Sequence, residues 1–265
     1  MAASRSRRLL GAHMVLLYVF LYAPIATLVV LSFNRSGQPT AWGGFSLDWY
    51  RSVIHNDAIL SAVRNSVIVA VFVTAISTVI GTLLALGLAR TTRSRTLDSL
   101  IFLPAVIPDI VLAIALLSFF SLIRFTLGLQ SIVVAHVVFD MVFVSAIVRT
   151  RLGYFDRSIE EAAQDLGAGA LGTFVRVTIP IILPGIVAGA LVAFTLSVDE
   201  FVVAYFNSGP TSITFPIRIY SMIRFGVTPE INAIATFVLL VSFTAILVAL
   251  RLTRRGRIRA NVDLA

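Results

Sequence analysis

A chain of 265 residues, 58% hydrophobic and only 13% charged, carries more apolar side chains than one soluble core can bury, so a lipid-facing protein is the first expectation. It has no cysteine, which excludes disulfides and thiolate metal sites. All 21 basic residues are arginine, so the chain holds no GxxxxGK[ST] phosphate loop. The formal charge of +8 clusters beside apolar segments, where it signals topology rather than a nucleic-acid surface.

A helix needs about 20 apolar residues to cross about 30 Å of hydrocarbon. Six segments come near this, at about 11–33, 63–89, 98–120, 131–149, 182–206 and 231–252. The first follows Arg5, Arg7 and Arg8 as a signal peptide would, yet Met14–Leu31 is too long and lacks an A-x-A site, so it is expected to be retained. Six spans place both termini on one side of the membrane. Arginines mark that side as cytoplasmic: Arg5, Arg7 and Arg8; Arg90, Arg93 and Arg95; Arg149, Arg151, Arg157 and Arg176; and Arg251, Arg254, Arg255, Arg257 and Arg259. The other face receives 34–62, a turn at 124–130, and 207–230. Within 34–62, residues 46–53 suit a short interfacial helix bearing Trp49 and Tyr50, with simple aromatic anchoring as the alternative role. No repeat, low-complexity tract or long linker interrupts the pattern. The expected fold is all-α, one polytopic membrane domain over residues 1–265.

Ionisable groups at span centres cost about 2.5 to 3.5 kcal/mol on insertion scales and so tend to face a cavity or a partner. Asp109, Asp140, Asp199 and Glu200 are such groups. Pro108 and Pro104 deprive the carbonyls of Pro104 and Leu100 of helical partners, and broken helix at membrane depth is tolerated where it lines a cavity. Asp109 is therefore a candidate for the pathway of a cationic solute. Asp199 and Glu200 stand about 100° apart on a regular helix, with Asp199 the better pathway candidate; interhelical hydrogen bonding is the competing role for each acid. His136 and Asp140, four residues apart, are expected to form a local structural pair, with too few ligands for a metal. Tyr205, Phe201 and Trp49 can offer aromatic faces to an ammonium group, although packing is the commoner role of such rings.

The loop at 151–181 is far longer than two antiparallel helices require. Its centre, Ser158 to Gly167, reads as a short helix. Ser158 is a capping candidate with Glu161 three residues on, and Gly167 is a terminator. Ile159, Ala162, Ala163 and Leu166 form an apolar stripe available for docking, with Glu160, Gln164 and Asp165 facing elsewhere.

Glu161-Ala162-Ala163, Gly167 and, nine residues later, Val177-Thr178-Ile179-Pro180 resemble the EAA loop of ABC importer permeases, with Val and Ile replacing the usual Ile and Leu. Pro108-Asp109-Ile110-Val111, Leu166-Gly167-Ala168, Ser197-Val198-Asp199-Glu200 and Ile219-Tyr220-Ser221-Met222 resemble the spermidine/putrescine branch of that family. The resemblance implies a non-enzymatic transport subunit in a bacterial inner membrane. It further implies two ATPase chains that bind ATP and Mg, a second permease chain, an extracytoplasmic solute-binding protein, and no cofactor in this chain. It implies a polyamine as solute, other small amines being the alternative. The ATPase contact would fall on Glu160, Glu161, Ala162, Ala163, Asp165, Gly167 and Pro180. A stand-alone cation transporter or channel would need intramembrane acids equally but has no use for an EAA loop. An intramembrane enzyme would need a catalytic constellation that is missing here.

Overall fold

The structure, a computed structural model, describes residues 2–38, 41–90, 95–226 and 228–244. They form α1 (Ala2–Leu31), α2 (Asp48–His55), α3 (Asp57–Arg90), α4 (Arg95–Val106), α5 (Asp109–Leu122), α6 (Leu129–Gly153), α7 (Ser158–Asp165), α8 (Ala170–Thr173), α9 (Ile179–Asp199), α10 (Val202–Asn207), α11 (Phe215–Phe225) and α12 (Pro229–Thr244). A π-helical stretch, Phe174–Thr178, joins α8 to α9. Among the described residues the only β-type pairing is one isolated bridge, Asn34 with Phe45, so the fold is all-α as expected.

Among the described residues four stretches are long and apolar enough to cross a bilayer: Leu10–Leu31, Asp57–Arg90, Leu129–Gly153 and Ala170–Asp199. The span expected at 98–120 is two helices, Asp98–Val106 and Asp109–Leu122, bent by 106°. Pro108 explains the break. It has no N–H to continue the ladder, and its extended backbone (φ −55°, ψ 133°) starts α5 afresh, while Pro104 stays inside α4. The span expected at 231–252 is seen as α12; residues 245–252 lie outside the described residues, as do Arg93 and the arginines from 251 to 259. The segment 207–230, read above as a loop, contains α11.

The span expected at 182–206 is also interrupted, with neither proline nor glycine at the break. α9 stops at Asp199, Glu200 is extended (φ −68°, ψ 113°), and α10 begins at Val202. The Glu200 carboxylate accepts a hydrogen bond from the Val203 backbone N–H at 2.9 Å. It thereby satisfies one of the orphan donors of the new helix start.

The chain divides into two compact units, Ala58–Arg218 and Met1–Asp57 with Ile219–Ala265. In the first, α6 packs along α9 and against α4, and α10 packs on α5 and α6. Its buried clusters are Val69, Val73, Ile132, Val137, Ala204 and Ile217 towards one end, Ala85, Leu86, Val144, Val148, Ile182 and Ala193 towards the other, and Ala113, Phe120, Ala135 and Val203 around α5. Glycines permit the closest approaches. A Cβ on Gly81 of α3 would stand 2.7 Å from the Met141 carbonyl oxygen and from Val144 Cβ, and one on Gly189 of α9 would stand 3.1 Å from Val144 Cγ1. Val144 is thus gripped from two helices, as small residues allow where packing rather than hydrophobicity holds spans together.

In the second unit, the buried Asn34 organises the segment after α1. Its Oδ1 accepts from the backbone N–H groups of Ser36 (3.1 Å) and Gly43 (2.8 Å), and its Nδ2 donates to the Ala41 carbonyl (2.8 Å). A short helix does form where one was expected at 46–53, as α2, with Ser46 Oγ accepting from the Asp48 N–H at 2.9 Å. The Glu230 carboxylate at the start of α12 accepts from Ser52 Oγ at 3.1 Å.

Candidate functional site: the broken spans and the EAA helix

Asp109 lies in the first turn of α5, immediately after the Pro108 break; Asp199 ends α9, and Glu200 occupies the joint to α10. Because α10 packs on α5, the two interruptions come together, and Glu200 lies within electrostatic reach of the Asp109, Asp140 and Asp199 carboxyls. Asp109 and Asp199 are exposed, Glu200 half-buried. The Tyr205 ring on α10 lies tilted against Phe201, centroids 5.4 Å apart, and meets Phe206 edge-on at 5.7 Å. Four predicted pathway residues, Asp109, Asp199, Glu200 and Tyr205, therefore share one region. Trp49 belongs to the other unit, where its indole N–H donates to the Asn34 carbonyl at 2.8 Å, so that ring serves the α1–α2 connection.

The expected His136–Asp140 pair does not form. Both are buried, at 2% and 1% exposure, but His136 Nδ1 bonds the Ser197 hydroxyl on α9 at 3.0 Å. Interhelical partnering has overridden the same-face spacing. His136 Nε2 and Asp140 Oδ2 have no hydrogen-bond partner among the described residues. Sequence reading also missed Asn207, fully buried, whose Nδ2 donates to the Val203 carbonyl (2.9 Å) and whose carbonyl accepts from Ser131 Oγ (2.7 Å).

α7 carries the EAA residues. The expected capping box is not made: Ser158 is the first residue inside the helix, and the cap comes from Asp156, whose Oδ1 accepts from the Ser158 backbone N–H at 3.0 Å. That backbone bond, followed by one from the Ser158 side chain, holds the Asp156 carboxyl below its usual range. The terminator works as expected. Gly167 has φ +90°, its N–H donates to the Gln164 carbonyl at 2.8 Å, and the Ala168 N–H reaches the Ala163 carbonyl at 3.0 Å. These two bonds form a Schellman end, whose left-handed position favours glycine.

Glu161, Ala162, Asp165 and Gly167 are exposed and Ala163 half-buried. The apolar stripe proves to be largely outward, with Ile159 at 45% and Leu166 at 90% exposure. Glu160 instead turns inward. It pairs with Arg90 at the end of α3 and accepts a hydrogen bond from the Thr178 hydroxyl. Pro180 is the second residue of α9, directly after the π-helical stretch. Among the described residues no cluster of three or more His, Asp or Glu could hold a metal.

The family model for "binding-protein-dependent transport system inner membrane component" matches residues 77–256. The chain is 39% identical over 257 residues (96% of this chain, 97% of the relative) to the spermidine/putrescine transport system permease protein PotC of Escherichia coli K12. It is 41% identical over 231 residues (84% and 82%) to the putrescine transport system permease protein PotI of the same strain. It is 36% identical over 248 residues (93% and 96%) to PotC of Haemophilus influenzae. Its fold matches that of a bacterial ABC transporter importing the acidic polysaccharide alginate, with TM-score 0.68, 17% identity, and 93% and 97% of the two chains covered. A crystal structure of an amino acid ABC transporter gives TM-score 0.55 at 17% identity, covering 78% and 98%. With the EAA helix formed and several apolar spans beside it, the chain belongs to the binding-protein-dependent transport system inner membrane components and is a multi-pass permease subunit of an ABC importer.

Proposed function

We propose that this permease passes a polyamine of the spermidine/putrescine class across the membrane. The observation that carries the substrate is the gathering of Asp109, Asp199 and Glu200 where two spans break, beside the exposed Tyr205 ring. Carboxylates in low-dielectric surroundings attract an ammonium group far more strongly than in water, and an aromatic face adds about 0.5 to 2 kcal/mol. The identity to polyamine permeases over nearly the whole chain supports the same solute. The chain acts as one domain with six spans near 11–33, 63–89, 98–120, 131–149, 182–206 and 231–252. Its loop at 151–181 meets a partner ATPase, which binds ATP and Mg. A second permease chain and an extracytoplasmic binding protein complete the importer.

Uptake of labelled putrescine and spermidine tests this, in cells lacking other polyamine import and expressing the whole complex. Asp109→Asn and Asp199→Asn keep shape but remove charge. Each is expected to lower uptake about tenfold or more, the equivalent of about 1.4 kcal/mol, with assembly and basal hydrolysis preserved. Normal import by both variants would remove the case for a cationic solute.

The arginine distribution further places both termini in the cytoplasm and residues 207–230 outside. Because the chain is free of cysteine, Thr211→Cys at an exposed position gives a clean probe. An impermeant thiol reagent is expected to label it in intact cells. Labelling only after membrane disruption would invert the topology.

A further inference from the structure

We infer that Glu160 does not face the ATPase but is the inward anchor that fixes the angle of α7 on the spans, together with Arg90, Thr178 and Arg157. The inference rests on the reading of α7 as the ATPase-docking helix and assigns different sides of it to different tasks.

The Glu160 side chain is only 15% exposed, whereas Glu161, Gln164 and Asp165 on the same two turns are exposed. One carboxylate oxygen of Glu160 receives both the Arg90 guanidinium, from the last residue of α3, and the Thr178 hydroxyl, from the last residue of the π-helical stretch leading into α9. Arg90 also reaches Thr178 Oγ1, at 3.5 Å. A second strut lies just outside α7, where Arg157 donates to the Ala89 carbonyl at 2.8 Å. This satisfies an otherwise orphan acceptor at the C-terminal end of α3 and sets a cation against the negative end of its dipole.

One short helix is thus tied to two different spans by charge-assisted bonds to a single carboxylate, while another of its faces, with Ile159 and Leu166, stays open. A push on the open face moves the ends of α3 and α9 together only while those ties hold. Glu160 is accordingly a positioning residue: its loss lets α7 pivot under load and breaks the link between hydrolysis and solute movement.

The test uses the complete importer in proteoliposomes and reads solute imported per ATP hydrolysed. Glu160→Ala and Arg90→Ala are each expected to lower that ratio about fivefold or more, while Arg90→Glu with Glu160→Arg recovers it to within about threefold of the parent, as interacting pairs do. Thr178→Val, close in size at a buried position, is expected to lower it by a smaller factor and covers the case in which a charge variant fails to assemble. An unchanged ratio in Glu160→Ala or, if that variant does not assemble, in Thr178→Val overturns the inference. So does loss of the ATPase from the complex in Glu160 variants but not in Arg90 variants, which would make Glu160 a direct contact. Crosslinking from a cysteine at Leu166 to the ATPase separates the two levels: without a crosslink the docking reading of α7 fails, and with a crosslink but unchanged coupling only the anchor fails.

Discussion

Gly81→Leu is expected to abolish accumulation of the assembled permease. A Cβ at this position stands 2.7 Å from a backbone carbonyl of α6, which cannot turn aside as a side chain would, and equally close to the β-branched Val144. Overpacking of this kind costs about 1 to 3 kcal/mol for small additions, and a whole isobutyl group must drive α3 from α6. Gly87, six residues on in the same helix, meets nothing within 4 Å. Gly87→Ala is expected to leave assembly intact and gain up to about 1 kcal/mol of helix propensity. Complex yield after detergent extraction and the temperature of aggregation read both effects. Combining Gly81→Ala with Val144→Ala should recover part of the loss of Gly81→Ala alone, because the two sites share one space. If Gly81→Leu assembles at the parental level, the close α3–α6 contact is wrong.

The second large effect is expected at Gly167, and it separates strain from bulk. A side chain at φ +90° is strained, by about 1 to 2 kcal/mol for an ordinary L residue, yet a Cβ there meets nothing within 4 Å in this chain. Gly167→Asn, which tolerates the left-handed region, should keep most transport, and Gly167→Ala should report strain alone. Gly167→Trp adds bulk that only a docked partner would meet. It is expected to reduce uptake tenfold or more, about 1.4 kcal/mol of lost coupling, while hydrolysis continues. Parental transport by Gly167→Trp in an intact complex would remove Gly167 from the ATPase contact.

The long apolar runs and the Pro108 break were legible because both follow from local rules: hydrocarbon thickness and a missing N–H. The Glu200 break was not, since a carboxylate capping Val203 creates a helix start that no Pro or Gly announces. α7 was legible in extent, and its apolar stripe, read as available for docking, is open at Ile159 and Leu166. The inward turn of Glu160 was not legible, because Arg90, 70 residues away, supplies its counter-charge. Such a partner cannot be read from spacing within one helix. For the same reason Trp49, a reasonable aromatic platform by type, is found bonding Asn34, and His136 finds Ser197 instead of Asp140. The gathering of Asp109 and Glu200 depended on α10 packing against α5, a tertiary fact.

The grip of Gly81 and Gly189 on Val144 limits how this permease can move. With knobs seated in holes that lack even a methyl of clearance, α3, α6 and α9 cannot slide past one another without unseating a close-packed core, so they must turn as a single rigid block. Flexure is left to the joints at Ile107–Pro108 and Glu200–Phe201, where the helical ladder is already cut. A force arriving through α7 at the neighbouring ends of α3 and α9 would then rotate the block as a lever, with the acid-lined joints as its fulcrum.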